Sequence, residues 1–173
     1  LVEPGVIVDA KSGVSGAGRT ARLSSHFPEV GEGVRAYSVA GTHRHTPEIE
    51  QELGAAGGAE VKVLFTPHLI PMSRGIFTCV YGRPTDGSRS EADYRQAMDD
   101  AYAGEPFVQV IDGVPDTAFV RGSNSAHVSV RLDERTGRVL AMAAIDNLVK
   151  GAAGQAIQCL NLMLGDDEQA GLM

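Results

Sequence analysis

Residues 127–145, HVSVRLDERTGRVLAMAAI, decide the fold class. His127 to Leu132 and Arg138 to Ile145 read as strands, and Asp133-Glu-Arg-Thr-Gly137 between them is a short polar turn ending in glycine. That pattern is a β-hairpin. Working upstream, further strands are expected at residues 107–111, 117–120, 75–81, 60–65, 35–39 and 6–9. Residues 60–65 alternate, with Val61, Val63 and Phe65 on one side, and in 75–81 Ile76, Thr78 and Val80 oppose Phe77, Cys79 and Tyr81.

Helix signals are fewer. Thr46 fits an N-cap, Pro47 the first helical position, and Glu48 and Glu50 the positive end of the dipole; Gly54 or Gly57 should end that helix. Ser90 followed by Asp93 is a capping-box pattern, with Tyr94, Met98, Ala101 and Tyr102 on one face behind it. A long last helix is expected from Asn147 to Leu164, carrying Leu148, Ile157, Leu160 and Leu164. Strands outnumber helices and do not alternate regularly with them. The expected class is therefore α+β: a mixed, largely antiparallel sheet with helices on one face, plus a long C-terminal helix. The expected division is residues 1–146 as the domain and 147–173 as helix and tail.

Composition narrows the function. The chain has 173 residues, 43% hydrophobic and 21% charged, enough for one globular core. A formal charge of -7 and no basic cluster argue against a nucleic-acid partner. Apolar runs fall far short of the ~20 residues a membrane span needs, and no signal-peptide pattern is present. Cys79 and Cys159 lack CxxC spacing, so a reduced, cytoplasmic protein is expected. The start at Leu1, without Met, suggests a piece of a larger protein.

Four segments have chemical potential. Ser12 to Arg19 sets two hydroxyls (Ser12, Ser15), three glycines and a guanidinium just after a strand, suited to an anion but equally to a plain turn. His43 and His45, two apart before a helix start, share a side in extended backbone. The helix terminus favours neutral imidazole, fit for general-base or electrophilic work. The same pair also fits two idle loop histidines, or two metal ligands, though no third ligand is near because His26, His68 and His127 are scattered. Arg74 sits on a connection stiffened by Pro67 and Pro71, placed either to grip a carboxylate or phosphate or simply to face solvent. Gly151 and Gly154 each cost a helix interior about 1 kcal/mol against Ala, which implies close approach by another element or a ligand. At α-helical spacing the two share a face. Cys79 reads as inert core, and Cys159 has no positive neighbour, so neither is expected to be a nucleophile.

Taken in order, Lys11-Ser-Gly-Val-Ser-Gly-Ala-Gly-Arg19, Tyr37 with His43-Arg-His-Thr-Pro-Glu-Ile49, Thr66-Pro-His-Leu-Ile-Pro-Met-Ser-Arg-Gly-Ile76, Gly122-Ser-Asn124 and Asp146-Asn-Leu-Val-Lys-Gly-Ala-Ala-Gly-Gln-Ala156 resemble the N-acetyl-gamma-glutamyl-phosphate reductases. The resemblance implies a C-terminal domain like that of glyceraldehyde-3-phosphate dehydrogenase. It also implies NADP-dependent reduction of N-acetylglutamyl 5-phosphate to the semialdehyde in arginine biosynthesis, without a metal. The family's Rossmann domain and its Asn-Pro-Gly-Cys nucleophile segment have no counterpart in these residues, so this chain alone is expected to be inactive. By the same resemblance, His45 is the acid–base group and His43 supports it. Ser12, Gly13, Ser15, Tyr37 and Arg74 contact substrate; Gly151, Gly154 and Asn161 face the cofactor, where Cys159 replaces an Asn common in relatives. The chain is then expected to form at least a dimer through its sheet. The alternatives are a dimerisation module that binds no ligand, or a related dehydrogenase with an aminoadipyl-type substrate.

Overall fold

The computed structural model describes residues 1–18, 20 and 23–172. One mixed sheet of seven strands organises the chain, in the order β2-β3-β1-β4-β7-β6-β5. The strands are β1 (Gly5–Gly13), β2 (Arg35–Ala36), β3 (Lys62–Ile70), β4 (Ile76–Gly82), β5 (Val108–Val110), β6 (Ala126–Asp133) and β7 (Arg138–Ile145). The pairs β1/β3 and β5/β6 are parallel, and the other four are antiparallel. The hairpin read from residues 127–145 forms as expected, with Asp133 paired to Arg138 across its turn. Both edge strands are very short, which limits open backbone for unwanted pairing.

Two helices cover one face of the sheet. α2 (Thr46–Gly57) presents Ile49 to Val6, Val8, Ala10, Val63 and Phe65. α3 (Glu91–Ala101) lays Tyr94 and Met98 on Val130, Leu132 and Val139. The register Val8–Val80–Ala141–Val130 runs across four strands, so the two clusters share a face. Each buried Val, Leu, Ile, Met or Phe side chain among these contributes roughly 1.5–3 kcal/mol. Neither helix covers the opposite face, where Ile7 remains 41% and Leu64 53% exposed. Beside them Asp9 pairs with Lys11 at 2.8 Å and His68 at 3.2 Å.

Ser90 and Asp93 form the expected capping box. Several expectations are corrected. Residues 117–120 are not a strand but one helical turn, α4 (Thr117–Val120), because the Asp116 carboxylate accepts the Ala118 amide at 2.8 Å and starts a helix locally. The strand expected over 35–39 stops at Ala36, since Ser38 (φ 43°) and Ala40 (φ 58°) take left-handed backbone. Thr46 is the first helical residue of α2 rather than its cap; His45 holds the cap position without a side-chain bond. β1 runs on through Gly13, so Lys11, Ser12 and Gly13 are strand, and a 3₁₀ turn (Val14–Ala17) completes the serine-glycine segment. Arg19 lies outside the described residues. A short helix, α1 (Phe27–Val30), precedes β2.

The last helix is not uniform. A π-helical turn (Val149–Ala153) precedes α5 (Gly154–Leu164), with Gly151 N–H bonded to Asp146 O and Ala153 N–H to Leu148 O. That extra residue per turn takes Gly151 and Gly154 off a common face: Gly151 is exposed and Gly154 buried.

Candidate active site

Two groups of expected residues gather around the C-terminal half of β3. The first joins two loops. Gly13 N–H donates to Gly75 O (2.9 Å), Val14 N–H to Met72 O (2.8 Å) and Ser15 N–H to Ser73 O (3.3 Å), closing the β1 end against the β3–β4 loop. Gly13 is needed for this approach, because a Cβ there would sit 2.8 Å from Met72 O. Ser12 and Ser15 are thereby brought to the loop that carries Arg74, and Gly13 is buried between the two segments.

Behind these segments stand residues to which sequence reading gave no role. Asp146 is fully buried and its Oδ2 accepts from Arg74 Nη2 at 2.9 Å and Gly122 N–H at 2.7 Å. Its Oδ1 accepts the amides of Leu148 (2.8 Å) and Val149 (3.1 Å), which caps the start of the last helix. Burial alone would raise its carboxyl, but the Gly122 and Leu148 amides, Arg74 and the Val149 amide outweigh that and hold it below the ordinary carboxylate range. Asn147, 5% exposed, accepts Gly75 N–H at 2.7 Å and donates to Ser15 Oγ at 2.9 Å. The available signal was an Asp directly ahead of an apolar helical run, the mark of an N-cap.

The second group is aromatic. The His43 ring lies edge-on to Tyr37 (5.6 Å), His45 (5.0 Å) and Phe65 (5.0 Å). Tyr37 N–H bonds Pro67 O at 3.1 Å, seating the cluster beside β3. His43 Nδ1 accepts the His45 backbone N–H at 3.2 Å. A nitrogen that accepts carries no proton, so neutral His43 holds its hydrogen on Nε2 and offers a donor there. Burial first, then His45 and Arg44, lower its pKa from the ordinary imidazole value. Burial raises that of Tyr37 against an opposing pull from Arg44.

Among the described residues, no hydrogen bond or ring contact joins the two groups. Pro67 and Ile70, which anchor them, are three residues apart on β3, about 10 Å of strand. A hollow of about 480 Å³ between α2 and β3, lined by Glu50, Glu60 and Lys62 among others, contains none of the expected site residues. Gly154 and Asn161 turn inward. A Cβ on Gly154 would strike Asn124 Oδ1, and Asn161 donates to the tail carbonyls of Glu168 (3.1 Å) and Ala170 (3.0 Å). Both atoms of close approach thus belong to this chain, and only Gly151 of the three stays at the surface. Cys79 is buried in β4 and Cys159 exposed on α5, with Gln155 as its polar neighbour at 3.4 Å. Among the described residues no group of three or more His, Cys, Asp or Glu could hold a metal, and no helix is long and apolar enough to cross a membrane.

This sheet, with helices on one face and loops paired at its β1/β3 end, has the same fold as part of solved semialdehyde dehydrogenases. The aspartate semialdehyde dehydrogenase II of Vibrio cholerae superposes with a TM-score of 0.71 at 16% identity, over 94% of this chain and 55% of that one. A Francisella tularensis aspartate semialdehyde dehydrogenase gives 0.69 at 13%, over 94% and 58%. Residues 1–147 match the family described as semialdehyde dehydrogenase, dimerisation domain, and the chain belongs to that family. Among named relatives, the N-acetyl-gamma-glutamyl-phosphate reductase of Citrifermentans bemidjiense is 53% identical over 99% of this chain and 50% of its own length. Those of Geobacter metallireducens (51%, over 99% and 50%) and Moorella thermoacetica (53%, over 96% and 48%) are similar. The chain spans about half the length of the curated relatives it matches.

Proposed function

We propose that the chain is the substrate-binding and acid–base half of an N-acetyl-gamma-glutamyl-phosphate reductase. That enzyme reduces N-acetyl-L-glutamyl 5-phosphate to the 5-semialdehyde with NADPH, in cytoplasmic arginine biosynthesis. Identity above half over nearly the whole chain to relatives of that name supports the reading. The observation that carries it is the closure of the serine-glycine segment on the Arg74 loop, which brings the hydroxyls of Ser12 and Ser15 to the loop that carries the Arg74 guanidinium.

Ser12, Ser15 and Arg74 hold one charged end of the substrate, and Gly13 allows the close approach of the two loops that carry them. Tyr37 and the Nε2–H of His43 contact it further along β3. His45 is the acid–base group, because its ring is the one not already committed as an acceptor to its neighbour. An extended acyl-phosphate amino acid is long enough to touch both groups. The nucleophile is a thiol from the half of the enzyme that this chain does not span, since Cys79 is walled into the sheet and Cys159, exposed on α5, belongs to neither residue group of the candidate site. NADPH, bound mainly by that other half, supplies the hydride. Residues 147–173 form the surface that meets it, through exposed Gly151, Ile157 and Leu160; the inward set of Gly154 and Asn161 suits a structural task. Two copies associate through the uncovered sheet face.

Joining this chain to the unmatched half of a relative tests the reading. NADPH-dependent reduction of N-acetylglutamyl phosphate should appear, and no turnover in the folded fusion would refute it.

A further inference from the structure

We propose that Asn147, with Asp146 beside it, is a positioning residue: the pair holds Ser15 and Arg74, from two separate loops, at one fixed spacing and orientation for an anionic substrate. This rests on the function proposed above, in which those two side chains contact the substrate.

The hydrogen-bond chemistry leaves little freedom. Gly75 N–H can only donate, so the Asn147 atom 2.7 Å away must be the carbonyl oxygen. The amide nitrogen therefore faces Ser15 Oγ at 2.9 Å and donates to it. A hydroxyl that accepts from behind keeps its own hydrogen for an acceptor in front. Asn147 thus makes Ser15 a donor towards the anion surface. Gly16 lies against Ser12 and Asn147: a Cβ there would be 2.9 Å from Ser12 Oγ and 3.4 Å from Asn147 Nδ2.

Asp146 does the matching task for Arg74. Its buried carboxylate takes only Nη2 of the guanidinium, while the Gly122, Leu148 and Val149 amides fix the carboxylate itself. Arg74 Nε has no hydrogen-bond partner among the described residues, although it is buried. The fork is anchored at one corner and keeps donors for a ligand. Because residues 146 and 147 are adjacent at the end of β7, a shift in one loop is carried to the other.

A purely structural role predicts lost stability without a selective effect on substrate affinity. The test is a double-mutant cycle on Asn147→Asp and Ser15→Ala in the fusion with a relative's unmatched half, reading KM for N-acetylglutamyl phosphate, kcat and the thermal midpoint. Aspartate keeps the acceptor for Gly75 but can no longer donate, so Ser15 turns its hydrogen inward. KM should rise about 10-fold in each single variant, more than kcat falls, and the double variant should be within about 3-fold of Ser15→Ala alone. Should the aspartate variant not fold, Asn147→Ala removes the donor without adding a charge and enters the same cycle. Multiplying effects, or an unchanged KM on replacing Asn147 while Ser15→Ala raises it, overturns the positioning role and leaves the anion site standing. An unchanged KM in both Ser15→Ala and Arg74→Ala refutes the anion site itself, and the inference falls with it.

Discussion

The backbone N–H of His45 donates to Nδ1 of His43 at 3.2 Å, so the two histidines of one short segment are chemically unequal. His43 is committed as an acceptor on one nitrogen and can only donate from the other. His45→Ala should lower kcat by about 10² or more, the scale of a positioned acid–base group. His43→Gln, which keeps a donor, should cost about 10-fold or less. Steady-state kinetics of the fusion decide this, and the reverse order would exchange the two roles.

His43 also sets a pH dependence of stability. Burial holds it neutral in the fold at pH values where the unfolded chain's imidazole gains a proton. The unfolded state then binds more protons, so stability falls as pH drops through the ordinary imidazole range near about 6.5, and stops falling on this account below the folded pKa. Thermal midpoints at about pH 7.5 and 5.5 should differ more in the wild type than in His43→Phe, which keeps the ring contacts but cannot titrate. Equal differences would show that another group carries the effect.

Gly151 and Gly154 should respond unequally to alanine. At Gly151 the nearest atom to a Cβ is Asp146 O at 3.4 Å, an ordinary contact, so Gly151→Ala should stay within about 0.5 kcal/mol of wild type. At Gly154 a Cβ meets Asn124 Oδ1 and lies 2.7 Å from Val149 Cγ1, so Gly154→Ala should cost about 1–3 kcal/mol. Urea unfolding monitored by circular dichroism measures both.

The uncovered sheet face gives a prediction about assembly. Leu64, 53% exposed, lies beside Ile7 on the face away from α2 and α3. Wild type should sediment as a dimer at micromolar concentration, and Leu64→Asp as a folded monomer, because a buried unpaired carboxylate is costly. A dimer that survives the substitution would place the interface elsewhere.

Much of the fold was legible because its signals are local. The 133–137 turn, the Ser90–Asp93 capping box and the alternation in β3 and β4 each act within a few residues. Where local signals compete, sequence reading went astray. Thr117-Ala-Phe-Val has strand-like composition, but Asp116 in front of it supplies a helix cap. The last helix begins as a π turn, and Gly154 behind it must clear Asn124, a contact from the segment before β6 that no local signal announces. The candidate site shows the same division. Its residue types are visible in sequence, whereas the meeting of Ser15 with Arg74 depends on β1/β3 pairing and on Asn147, 132 positions beyond Ser15.

The most direct measurement is kcat/KM of the fusion for N-acetylglutamyl phosphate against its one-methylene-longer aminoadipyl homologue, followed as NADPH consumption with and without Arg74→Ala. The account predicts turnover that favours the glutamyl compound and collapses when Arg74 is removed. Equal or greater turnover of the longer compound, or activity indifferent to Arg74, would contradict it.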